Sequence, residues 1–225
     1  MRKNSMFGVA ILVATLAIGV GAVPSAMAAT TTKASSDDLG TSEQDMKAVW
    51  TEYGVPADTQ AVLLQKLDAG QGIDSMTGAS PVSSETTVDG DKQTTVARFN
   101  DGSITVATIE PNVASLTRSV GSCAVDAPTY ANDCRVHGWF GTVELSFVSS
   151  YRKMDLQASV YNWGQAAFTC GPLMTCSDPK FELVRQYQSG SLAAQINLYT
   201  NWNTGVANGR ATLSLFAKDR GAWSN

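Results

Sequence analysis

Apolar and polar residues alternate through the second half of the chain. Val143, Leu145 and Phe147 take every other position in one run, and Met154, Leu156, Ala158 and Val160 do so in a second. Leu192, Ala194, Ile196 and Leu198 repeat the pattern, as do Ala211, Leu213, Leu215 and Ala217 in the last run. Successive side chains of a strand leave on opposite faces, so each run predicts a strand with one oily face and one wet face. Phe181 and Leu183 mark a further strand. Gly, Asn and Pro separate the runs with no helical period between them, which predicts an antiparallel β-sandwich over residues 119–225. The expected wet face carries Glu144 and Ser146, then Gln157, Ser159, Tyr161 and Trp163, then Gln195, Asn197, Tyr199 and Asn201.

The first half reads differently. Residues 29–40 are small and polar with little to bury, and they predict a flexible leader. Thr41 or Ser42 is placed to cap a helix, with Gln44 or Asp45 three residues on, and Met46, Val49, Trp50 and Tyr53 then form one apolar stripe. Gly54 ends that helix. Val55-Pro56 restarts the chain into a second one, with Asp58 near its start, Val62, Leu63, Leu64 and Leu67 as its apolar residues and Gly70 as its stop. Residues 71–84 are a loop by composition. Asp89-Gly90 and Asn100-Asp101-Gly102-Ser103 are hairpin-type turns, so residues 85–110 predict a three-stranded meander. Residues 41–118 thus form an α+β module, a helix hairpin plus a meander. Few large apolar residues for its length imply that it leans on its neighbour.

Composition changes the picture most at the N-terminus. Arg2 and Lys3 precede an uncharged apolar run from Met6 to Val23, and Ala26-Met27-Ala28 follows with small residues where signal peptidase cuts. Residues 1–28 therefore predict a cleaved signal peptide and an extracellular protein with no membrane attachment afterwards. Their loss removes two basic residues and moves the formal charge from -4 to -6, with 14 Lys+Arg facing 20 Asp+Glu. An acidic chain without a basic stripe argues against nucleic acid and anionic membranes as partners. Cys123, Cys134, Cys170 and Cys176 predict two disulfides in an exported chain, with three connectivities open. No close Cys-x2-Cys knuckle suggests zinc, and neither a calcium loop nor a nucleotide loop is complete, so no metal or cofactor is implied.

Candidate chemistry is sparse. Tyr161, Trp163 and Tyr199 beside Gln157, Gln195 and Asn197 have the makings of a glycan-binding face, since rings stack on sugar C–H faces and amides bond hydroxyls. Solvated antiparallel strands also favour these residue types for structural reasons alone. Glu144 and Glu182 each sit in a strand signal, and across a common cleft they would form the carboxylate pair of a glycoside hydrolase. His137, the single histidine, lies in the predicted disulfide loop and reads as a surface residue. Trp50, Trp139, Trp202 and Trp223 read as core or interface aromatics.

Glu52-Tyr53-Gly54-Val55, Thr59-Gln60, Leu63-Leu64, Lys66-Leu67, Gly70, Asp74-Ser75, Pro81-Val82-Ser83 and Asp101-Gly102-Ser103 together resemble a module found in secreted actinobacterial proteins. A β-rich half with paired cysteines follows it there too. The resemblance implies secretion by a Gram-positive host and the two-part organisation, and implies no activity. Three readings follow. The leading one is a secreted, non-enzymatic protein that binds an extracellular glycan or protein through its polar-aromatic face. The second is the hydrolase using Glu144 and Glu182. The third treats residues 29 to about 118 as a pro-segment released near Arg118 from a bacteriocin-like or inhibitor effector. Oligomeric state stays open.

Overall fold

The computed structural model describes residues 42–112, 123, 130–171 and 174–225, all within one unit spanning Asp37–Asn225. The expected signal peptide, the leader and the Arg118 processing point lie outside the described residues.

Helix α1 (Glu43–Glu52) starts where its cap predicts: the Ser42 hydroxyl accepts the Asp45 N–H at 3.3 Å. Met46 and Trp50 are buried, and Val49 and Tyr53 pack beside them. Helix α2 (Ala57–Asp68) buries Leu63 and Leu67 and leaves Val62 exposed. The following loop holds a one-turn helix α3 (Asp74–Thr77).

Strands β1 (Ser83–Asp89), β2 (Lys92–Arg98) and β3 (Ile104–Pro111) pair in sequence. They do not stop there. β3 pairs antiparallel with β4 (Tyr130–Trp139), which pairs with β5 (Val143–Arg152), and β6 (Ser159–Cys170) completes a six-stranded sheet. Residues on both sides of the expected boundary at 118 therefore share one sheet. The second sheet runs β11 (Gly221–Ser224), β10 (Asn208–Lys218), β9 (Ala194–Asn203) and β7 (Thr175–Cys176), with β8 (Lys180–Arg185) also on β9.

Alternation decides which side chains meet between the sheets. Ala107 and Ile109, Val136, and Leu145 and Phe147 from the first sheet share one apolar core with Ile196, Leu198, Leu213 and Leu215 from the second. At Gly138 the sheets approach closely, since a Cβ there would sit 2.7 Å from Leu213 Cδ1. The disulfides take the local connectivity, Cys123–Cys134 and Cys170–Cys176. Tyr151 donates its hydroxyl to the Cys123 carbonyl at 2.5 Å, tying the first bridge to β5. The described chain is thus mostly antiparallel sheet with two disulfides, and no helix in it is long and apolar enough to cross a membrane.

Candidate functional site

The outward face of the β8–β11 sheet gathers the amide row predicted from sequence. Ile196 and Leu198 are fully buried, which turns Gln195, Asn197, Tyr199 and Asn201 to the other face, where Asn197 is only 7% exposed between its neighbours. Gln195 Nε2 donates to Asn197 Oδ1 at 2.8 Å, a bond that aligns the two amides and leaves the Gln195 carbonyl and the Asn197 NH₂ without partners among the described residues. Arg210 lies over the Tyr199 ring at 4.0 Å, so that ring face is covered and its edge and hydroxyl remain. Register continues the face: Gln195 stands opposite Phe216, and Phe216 opposite Trp223. The Phe216 and Trp223 rings stack at 5.3 Å and 10°, with Trp223 36% exposed.

Of the tryptophans read as core or interface aromatics, Trp223 alone is partly open to solvent among the described residues. Trp50, Trp139 and Trp202 are buried as expected, but Trp223 forms the open end of an aromatic ledge. The signal for it was the alternation itself: Ala217 is buried, so Phe216 faces outward beside its cross-strand partner.

The other predicted ligand residues are not on this face. Gln157 sits in an exposed turn before β6. Tyr161 belongs to the six-stranded sheet, where its hydroxyl bonds Asn132 Oδ1 at 3.2 Å. Burial, then Tyr130, raises its pKa above the ordinary tyrosine value, partly offset by Arg152. Trp163 packs against the core. Positive φ at Asn162 and Gln165 and two register shifts against β5 break the alternation between them.

Glu144 and Glu182 are not brought together. Glu182 is exposed on β8 opposite Asn197. Glu144 lines a cavity of about 360 Å³ between α1 and the outer face of the six-stranded sheet, and Glu182 is absent from that lining. There His137 Nε2 and Glu144 Oε1 stand 2.5 Å apart, with both side chains nearly buried at 11% and 12% exposure. His137 is therefore not the surface residue of a disulfide loop. It projects from β4 on the same face as Arg135 and Trp139, and polar residue types on that face hid the strand. Around the pair lie Val49, Glu52, Tyr53, Lys92, Thr108 and Glu110. Burial, then Glu52, raises the Tyr53 pKa and keeps its phenol protonated at neutral pH.

No group of three metal-ligating side chains occurs among the described residues. No protein-family model, curated protein or solved structure matches the chain.

Proposed function

We propose that this protein is a secreted, non-enzymatic binding protein of Gram-positive origin, a disulfide-stapled β-sandwich preceded by a helix hairpin, which recognises an extracellular glycan through the outward face of β8–β11. The observation that carries the reading is the Phe216–Trp223 ledge one strand from the aligned Gln195 and Asn197 amides. An exposed ring stacked on a second ring is a rigid apolar platform, and adjacent amides supply the directional bonds that sugar hydroxyls need. Secretion is supported by the basic, apolar and small-residue pattern of residues 1–28, and two disulfides suit an oxidising compartment.

A glycan array tests the reading. Wild-type protein binds one polysaccharide class, and Trp223→Ala weakens that binding at least about tenfold, the order of about 1.4 kcal/mol that one ring–sugar contact contributes. No binding to any glycan, or binding indifferent to Trp223→Ala, rejects it.

A further inference from the structure

The cavity beside α1 has no part in that platform, and its chemistry points elsewhere. Its wall is apolar where Val49, Val106 and Trp139 line it. Arg135 and Glu110 stand directly opposite each other in the β3–β4 register and both line the cavity. Facing residues of opposite sign on antiparallel strands ordinarily close into an ion pair. Here neither side chain makes an ion pair or a hydrogen bond among the described residues, although both residues are half-buried. Lys92 and Glu52 extend the same two charges at the more exposed edge.

His137 adds a third feature. A carboxylate only accepts, so His137 Nε2 donates to Glu144 Oε1, which occupies that carboxylate and leaves Glu110 as the half-buried acid of the cavity without a side-chain partner among the described residues. Two half-buried, unmatched charges are costly to leave bare, and a ligand that carries both signs relieves both.

We propose that this cavity binds a zwitterionic α-amino acid with an apolar side chain. Arg135, with Lys92, holds the carboxylate. Glu110 accepts from the ammonium, and the side chain lies against Val49, Val106 and Trp139. A cavity of about 360 Å³ suits a ligand of this size.

Calorimetric titration of the intact secreted protein with L-leucine and L-phenylalanine tests it. Each charge-assisted bond lost costs about ten- to hundredfold in affinity, so the N-acetyl and the C-terminal amide derivatives each bind at least about tenfold more weakly than the free amino acid. Folded variants separate the ends: Glu110→Gln abolishes discrimination against the N-acetyl form alone, and Arg135→Gln abolishes discrimination against the amide alone. Trp223→Ala leaves both intact. No binding of either amino acid, or equal binding of free and capped forms, overturns the proposal and leaves the glycan platform untouched.

Discussion

Gly138 shows how little room separates the two sheets at one residue. A Cβ there meets Leu213 Cδ1 at 2.7 Å and the Phe140 ring at 3.0 Å and 3.1 Å. Gly138→Ala is therefore expected to destabilise by about 1–3 kcal/mol through overpacking, read as a lower urea midpoint at unchanged slope. Asp101 gives a pH-dependent counterpart. Burial raises its carboxyl pKa, but bonds from Ser103, the Asp74 N–H and Lys66 outweigh that and hold it below the ordinary value. A depressed carboxylate stabilises the fold above its unfolded pKa, and that stability is lost as pH falls through the folded value. Asp101→Asn should thus be less stable at neutral pH and lose less on acidification to about pH 3 than wild type, as urea titrations at each pH would show. Single residues also mark where sequence reading stops. Leu156 sits in phase with Ala158 and Val160, yet its φ is +59° and it is 74% exposed. Periodicity carries no information about a left-handed turn without Gly or Asn.

Among elements, β5, β9 and β10 were legible because each buries an alternating apolar set: Val143, Leu145 and Phe147; Ala194, Ile196 and Leu198; Ala211, Leu213, Leu215 and Ala217. β4 was not, since Arg135, His137 and Trp139 face α1 and the cavity instead of water and so break the oily-or-wet code. The candidate cavity was invisible for the same reason, while half of the proposed glycan face was readable from β9 alone. Trp202 is the element-scale link between α3 and the second sheet. Its Nε1 donates to the Met76 carbonyl at 3.1 Å, and the Thr204 hydroxyl donates to the Gly70 carbonyl at 2.6 Å. Trp202→Ala should cost about 3–5 kcal/mol, because a buried indole leaves a cavity and an unpaired carbonyl. Cys170→Ser with Cys176→Ser opens a loop of six residues and should cost only about 2 kcal/mol by chain entropy. Chemical denaturation of the two variants checks that order.

At the scale of the molecule, residues from α1 to β11 enter one apolar core. β1–β3 supply half of the six-stranded sheet, so a chain beginning at residue 119 would bare the β4 edge and the part of the core that Ala107 and Ile109 cover. The intact protein is accordingly expected to unfold in a single calorimetric transition, and two resolved transitions would show separable halves. The two proposed functions divide more sharply than folding does, with the proposed glycan ledge on one sheet and the proposed amino-acid cavity on the other. Hydrogen-exchange mass spectrometry of the whole chain, with and without its array-identified glycan, tests the assignment most directly. The account predicts added protection in peptides covering 194–203, 208–218 and 221–224 and none over 159–170. Protection over 159–170, or at neither place, would contradict it.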